Sequence, residues 1–414
     1  MSIEKLRTTA LSIADLREMA RKHLPRGIFE YVARGIDEDR SLAGNARAFD
    51  EIDLLPRVVR DVSGANTSCE LFGKPSAAPI AVSPTGFASL LWLDGEIGSA
   101  RAAARAGIPF VLSTGSITPM EQVREQVDGR LWLQLYVWPQ RDMTRELIAR
   151  AKRARYEALI ITVDTPVAPF RPYNLKNGFS IPFKISPRNF LDIATHPRWL
   201  YNVVFRRYLK SGPMVAENYP EQLRVPISAA KPGKFNLPFC DNVSWDDIRE
   251  FRRLWDGPLI LKGVLHPDDA ARAVDAGCDG IIVSNHGGRN LDSAIAPVRM
   301  LPEIADRIGG RATVFLDSGI SRGSDIVKAL ALGADAVMTG KATLFGVGAA
   351  GEAGAGRALE ILVDEMVRVM TNAGVREIPA ILPGLLRLSG EFSRAIPAIE
   401  AARPKSGSAC QLAE

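Results

Sequence analysis

The stretch "VSNHGGRNLD", Val283 to Asp292, sets one of only four histidines after an apolar run, followed by two glycines and an arginine. Imidazole exchanges a proton near neutral pH, and a guanidinium grips a carboxylate through two parallel hydrogen bonds. His286 and Arg289 on one short loop therefore suit proton transfer on a ligand that carries a carboxylate. Asp164 in "TVDTP" is a candidate to hold the imidazolium form, Arg171 supplies a second guanidinium, and Tyr31 and Tyr136 supply phenolic donors. A lone loop histidine is usually incidental, but one followed by Gly-Gly-Arg at the end of an apolar run is a candidate base.

A second set of residues suits a cofactor. Lys262 in "LILKGV" is costly as an unpaired charge among apolar neighbours, so it calls for a carboxylate or an electron-rich group such as a flavin ring. Gln134, Thr162 and Ser284 offer neutral hydrogen bonds suited to the edge of a heterocycle. "DSGISRGSD" and "TGKATLFG" place glycines and Lys341 just ahead of helices, where backbone N–H groups bind phosphate.

Eight apolar, β-branched runs position these groups: "APIAVSP", "FVLST", "LWLQLYV", "ALIITVD", "LILKGV", "GIIVSN", "TVFLDSG" and "AVMTGK". Runs apolar on both faces suit buried parallel strands, and the segments between them, such as "ARAAARAG", "DDAARAVDAG" and "IVKALALG", read as helices closed by glycine. Eight such units predict a (β/α)8 TIM barrel over about 78–374. Thr85, Ser113, Gln134, Tyr136, Thr162, Asp164, Lys262, Ser284, His286, Asp317 and Lys341 then stand at the C-terminal ends of strands, where barrel enzymes carry their chemistry.

Three regions lie outside the repeat. Residues 1–77 form an N-terminal cap segment, helical from Ser12 to about Phe49; a proline-rich insertion after strand 4 covers about 178–244; and a C-terminal tail runs over 375–414, reading as disordered after Ile396.

"SNHGGRNLD", "LILKGV", "LWLQLYV", "TVDTP" and "SRGSDIVKALALGADAV" resemble the FMN-dependent 2-hydroxy acid dehydrogenase and oxidase family over about Leu16 to Gly374. The pattern is most similar to its (S)-mandelate and bacterial L-lactate dehydrogenases. The resemblance implies a barrel with FMN at its C-terminal mouth, His286 as base, Asp164 as its charge partner, and Tyr31, Tyr136, Arg171 and Arg289 as substrate-binding and activating groups. It also implies FMN contacts at Thr85, Gly86, Ser113, Gln134, Thr162, Lys262, Ser284, Asp317, Gly319, Gly340 and Lys341. Two accounts of the reaction stay open: the base takes the hydroxyl proton while hydride leaves the α-carbon for flavin N5, or it takes the α-proton and leaves a carbanion.

The chain departs from the family pattern in places. Ser321 and Lys341 stand where arginines are usual, which removes one charge and one bidentate fork from the phosphate site. Arg322 points to a different direction. Pro172, Tyr173 and Asn174 replace a commoner charged trio. Gly86 stands where oxidases usually carry alanine, which favours a dehydrogenase passing electrons to a quinone or other carrier over an oxidase that makes H2O2 from O2. Gly115 replaces a bulky aromatic of some relatives and leaves room for an aromatic or long-chain substrate. A catalytically silent barrel acting as a binding or scaffold protein is the reading from another class, supported by the weakened phosphate site.

The totals agree with an enzyme of this kind. The 414 residues, 46% hydrophobic, suffice for a large core, and the net charge of +5 is dispersed without a nucleic-acid motif. Cys69, Cys240, Cys278 and Cys410 are too scattered to predict disulfides or a metal site. The N-terminus lacks a signal-peptide pattern, so cytoplasmic residence is expected, with "RWLYNVVFRRYLK" in the 196–210 region as a candidate peripheral contact with the inner face of a membrane. The alternative is that Trp199, Val203 and Phe205 pack the insertion onto the barrel. By analogy with the family, a homo-oligomer, a tetramer or octamer, is expected.

Overall fold

Eight parallel strands close on themselves: β1 Ile80–Val82, β2 Phe110–Ser113, β3 Leu131–Tyr136, β4 Ala158–Thr162, β5 Leu259–Val264, β6 Gly280–Val283, β7 Thr313–Leu316 and β8 Ala336–Thr339. Each pairs with the next in chain order and β8 returns to β1, so the fold is a (β/α)8 barrel. The computed structural model describes residues 1–179, 187–224, 226, 240–390 and 392.

The unbroken apolar runs have a direct cause. Ala81, Val111, Trp132, Ile160, Ile260, Ile282, Phe315 and Met338, one from each strand, fill the barrel interior. Neighbouring residues such as Leu112, Leu133, Ile161 and Leu261 face outward into the core shared with the helices. A hairpin of Cys69–Leu71 and Lys74–Ser76 inserts the ring of Phe72 against Trp132 and Phe315 at 5.7 and 6.0 Å.

Register brings the polar strand ends to one level. Ser113 lies opposite Gln134, Tyr136 opposite Thr162, and Thr162 opposite Lys262. The β5–β6 ladder shifts register between Lys262 and Val264, with Gly263 at φ +102°. A Cβ on Gly263 would come 2.5 Å from Cβ of Asp164, so only glycine lets that aspartate lie across the strand end.

The N-terminal segment is four helices rather than one helical stretch from Ser12: α1 Ile3–Thr9, α2 Ile13–His23, α3 Arg26–Ala33 and α4 Arg40–Asp50. Ser12 and Asp15 form a capping box that starts α2, and Pro25 separates α2 from α3. Later helices that serve the site are α5 Pro172–Asn177, α6 Gly323–Ala331 and α7 Lys341–Asn372. Beyond the barrel, Leu386–Leu388 pairs antiparallel with Ile52–Leu54, which ties the beginning of the 375–414 stretch to the N-terminal segment. The expected disorder after Ile396 falls outside the described residues.

Within the insertion, helix Pro197–Trp199 runs into a π-helix over Leu200–Phe205 and then helix Arg206–Ser211. Trp199, Val203 and Arg207, four residues apart, are buried. The Trp199 indole donates to the carbonyl of Leu90 at 2.9 Å. Packing onto the barrel therefore holds for Trp199 and Val203 but not for Phe205, which is 51% exposed.

Candidate active site

A cavity of about 350 Å³ opens at the C-terminal end of the barrel. Of the residues singled out by sequence, Tyr31, Thr85, Gly86, Ser113, Tyr136, Arg171, Lys262, His286, Arg289, Asp317, Gly319, Gly340 and Lys341 line it. Asp164, Gln134, Thr162 and Ser284 stand behind that lining: Asp164, Gln134 and Ser284 bond residues that line it, and Thr162 bonds Gln134. Gln134 accepts from Ser113 Oγ at 3.0 Å and donates to Thr162 Oγ1 at 2.9 Å, which fixes which edge of its amide faces each partner.

His286 sits on a loop whose residues 286 to 288 all have left-handed backbone, with φ of +59°, +67° and +69°. A non-glycine residue held there marks a conformation that the surrounding structure must impose. Ser284 Oγ accepts from the His286 backbone N–H at 3.0 Å, and Ser318 Oγ accepts from that of Gly287 at 2.9 Å. The ring nitrogen Nδ1 lies 2.9 Å from Asp164 Oδ1. An ionised carboxylate only accepts, so Nδ1 donates to it, and in the neutral ring the lone pair is then on Nε2. Burial alone would raise the Asp164 carboxyl, but the His286 ring, its hydrogen bond and the Lys262 charge outweigh burial and hold it below the usual carboxylate value.

Lys262, 4% exposed, does meet a carboxylate: its Nζ lies 3.2 Å from Asp317 Oδ2 and donates to Ser284 Oγ at 3.0 Å. Both oxygens of Asp317 are engaged, Oδ1 by Ser83 Oγ and Oδ2 by Ser284 Oγ, each at 2.7 Å. Burial opposes both charges. For Lys262 the negative Asp317 and Asp164 overcome it and raise the ammonium; for Asp317 the Lys262 charge and the two hydroxyl donors overcome it and lower the carboxyl. The pair thus stays ionised beside the cavity that both residues line.

Two guanidiniums and two phenols occupy another part of the wall. Arg171 and Arg289 lie over the Tyr31 ring at 5.4 and 5.1 Å. Arg289 donates to the carbonyls of Tyr31 and Arg34 at 2.8 and 2.7 Å, whereas Nε of Arg171 is buried without a hydrogen-bond partner. Burial, then the negative charge of Asp164, pushes the Tyr136 phenol well above its ordinary value, so it remains a neutral donor.

Lys341 begins α7, and its Nζ donates to the carbonyl of Ala33 at 3.1 Å. Burial, reinforced by Arg289, Arg17 and Arg171 and opposed by Asp39, holds this ammonium well below the usual lysine value. Ser321 lines the same cavity, while Arg322 turns away to pair with Glu365 at 2.9 Å and cannot replace a missing phosphate arginine. A glycine-lined end that carries Lys341, neutral hydroxyls on the wall and a buried ion pair together fit a phosphorylated heterocycle, the chemistry that FMN presents.

Sequence reading passed over Ser83, Ser318 and Asn285. Asn285 exchanges amide hydrogen bonds with Asn45 at 2.9 and 2.7 Å, pinning the histidine loop to α4. Its place between Ser284 and His286 was the available signal; Ser83 and Ser318 had none beyond their neighbourhood to strand ends.

Over residues 20–388 the chain matches the family model described as FMN-dependent dehydrogenase. An L-lactate dehydrogenase of Haemophilus influenzae is 39% identical over 376 residues, covering 91% of this chain and 97% of that one. The solved structure of the monotopic membrane protein (S)-mandelate dehydrogenase superposes with a TM-score of 0.85 at 36% identity, covering 92% of this chain and 99% of that one. A mandelate oxidase variant with (S)-mandelic acid gives a TM-score of 0.77 at 34% identity, covering 92% and 100%.

Proposed function

The chain belongs to the FMN-dependent dehydrogenase family, and from that premise we propose that it oxidises a bulky or aromatic (S)-2-hydroxy acid to the 2-oxo acid and passes the electrons to a quinone or other carrier. That it is an FMN-dependent oxidoreductase of 2-hydroxy acids follows from the family and its lactate- and mandelate-oxidising relatives. The observation that carries the reading of the site is His286, on the wall of a cavity that Arg171 and Arg289 also line, with its Nδ1 2.9 Å from Asp164 behind it.

Arg171 and Arg289 bind the substrate carboxylate, and Tyr31 and Tyr136 orient its 2-oxygen. His286 takes one proton through Nε2, and Asp164 stabilises the imidazolium that results. FMN, when bound, would supply the acceptor for the two electrons and the second hydrogen that the substrate gives up. Lys262, Ser113, Thr85 and Gly86 would hold its ring, with Gln134, Thr162 and Ser284 supporting them, and Gly319, Gly340 and Lys341 would hold its phosphate. Gly115 on the cavity wall leaves room for a large substrate side chain.

The test is an anaerobic absorbance spectrum of the FMN-supplied protein mixed with (S)-2-hydroxy acids from lactate to mandelate, followed by air. We expect bleaching, strongest with aromatic or long-chain acids, and slow recovery. Recovery within the time of a turnover would make it an oxidase; a protein that takes up no flavin would support the silent-barrel reading.

Lys341 makes flavin affinity pH-dependent. Its ammonium is depressed in the flavin-free protein, and a neighbouring phosphate raises it, so binding takes up a proton wherever the pH lies between the two values. FMN affinity therefore falls as pH rises through that window. Fluorescence titrations should show this fall for FMN but not for riboflavin, and Lys341→Arg should flatten it because arginine stays charged; equal slopes for both flavins would refute the assignment.

A second feature bears on location. Among the described residues, no helix is long and apolar enough to cross a membrane. The insertion nevertheless exposes Leu191, Tyr201, Phe205, Tyr208 and Leu209 beside Arg198 and Arg206. We propose that this surface rests on an anionic bilayer, as its apolar and basic mixture suits an interfacial contact. The protein should sediment with anionic vesicles, and the Phe205→Asp, Leu209→Asp double variant should stay in solution with activity on soluble acceptors retained; unchanged sedimentation would sink the idea.

A further inference from the structure

Tyr173, two residues beyond Arg171, is 3% exposed although its side chain ends in a hydroxyl. That hydroxyl donates to the carbonyl of Gly35 at 3.1 Å, and the Arg34 guanidinium lies 4.7 Å from the ring centroid. Both partners belong to the turn that follows α3, the helix that carries Tyr31. At the other end of α5, Asn177 Nδ2 donates to Glu30 at 2.8 Å, and beyond it the Phe179 ring lies 5.4 Å from that of Tyr31. Helix α5 is therefore clasped to α3 at both ends.

The clasp matters because of what stands at the start of α5. Arg171 is its N-cap residue, and both its guanidinium and that of like-charged Arg289 lie against the Tyr31 ring. Burial, then the charge of Arg289, lowers the Arg171 guanidinium, and the two repel until an anion arrives. Arg289 is restrained directly, by the carbonyls of Tyr31 and Arg34. Arg171 has no such restraint on its Nε, so its place depends on where α5 lies against α3.

We infer that Tyr173 is a positioning residue for substrate recognition: its hydroxyl, through Gly35, sets Arg171 against Arg289 and Tyr31 so that the two guanidiniums meet one carboxylate. This rests on the reading of Arg171 as a carboxylate ligand. It makes the departure from the commoner charged segment a functional substitution, in which a buried phenol takes over the docking of the loop. The effect falls on substrate affinity, with little on flavin binding, since the phosphate-end groups lie on α7 and the β7–α6 turn.

The experiment is a double-mutant cycle on the flavin-loaded protein with Tyr173→Phe and Arg171→Met, reading KM for the 2-hydroxy acid, kcat, and the dissociation constant of the 2-oxo acid from its perturbation of the flavin spectrum. Tyr173→Phe, which removes one oxygen and little volume, should raise KM and the 2-oxo acid constant about fivefold, with kcat and FMN affinity within about twofold. In the Arg171→Met background the same change should have almost no effect. Equal effects of Tyr173→Phe in both backgrounds, or none in either, would overturn the inference. An Arg171→Met variant that binds the 2-oxo acid as tightly as the unaltered protein would instead overturn the reading of Arg171, whatever Tyr173→Phe does.

Discussion

Replacing His286 with alanine leaves FMN bound and slows its reduction by the 2-hydroxy acid about 10³-fold, the middle of the range that a positioned acid–base group contributes. The two halves of this expectation have separate causes. In the proposed site, flavin would be held by Lys262, the strand-end hydroxyls and the α7 end of the cavity, none of which is bonded to the imidazole side chain. The proton, by contrast, has one well-placed acceptor: Nδ1 is committed to Asp164 at 2.9 Å, so Nε2 is the nitrogen with a free lone pair. Rapid-mixing absorbance under anaerobic conditions measures both amplitude and rate. Full-speed bleaching in His286→Ala would remove this residue from the proton transfer, while loss of flavin would mean that the loop supports the cofactor instead.

The other large effect is on stability. Lys262→Met removes the cation from a buried pair and leaves Asp317 with its two hydroxyl donors alone. Stranding one member of such a pair costs about 3–5 kcal/mol. The double variant Lys262→Met, Asp317→Asn should recover most of this, because an isolated buried pair contributes little net stability, yet it should not recover flavin reduction. The pH dependence separates the cases further. In the unaltered protein the depressed Asp317 carboxyl contributes stability that is present above the ordinary carboxylate value and lost as pH falls. In Lys262→Met the same carboxyl, buried without its cation, is raised, so acidification stabilises that variant relative to the unaltered protein. Denaturant unfolding at pH 3, 5 and 8 reports both; identical midpoints for Lys262→Met and the unaltered protein would show that the pair is not worth its burial.

Much of this molecule was legible before any coordinates. The eight strands announced themselves because parallel strands in a barrel bury both faces, giving unbroken apolar runs whose polar residues can only collect at the ends. The Lys-Gly of β5 and the His-Gly-Gly-Arg loop were legible for a related reason: charge beside apolar sequence and glycine in a tight turn are local chemical signals. The 196–210 segment was ambiguous for a physical reason too. A π-helix over Leu200–Phe205 stretches the inward repeat of Trp199, Val203 and Arg207 to four residues, so a search at the α-helical period finds no clean stripe.

By itself, then, the sequence determined the barrel, the histidine, guanidiniums and buried lysine of the candidate site, and their placement at one end of the strands. Tertiary structure alone decided how they are partnered. Ser83, Lys262, Ser284 and Asp317 come from four strand ends, and Arg289 and Lys341 both reach carbonyls at the end of α3. Those pairings depend on strand register and on how the N-terminal helices dock, and neither is encoded in any local window: a hydrogen bond needs its atoms within about 3 Å, and only closure of the barrel brings residues so far apart in the chain to that distance.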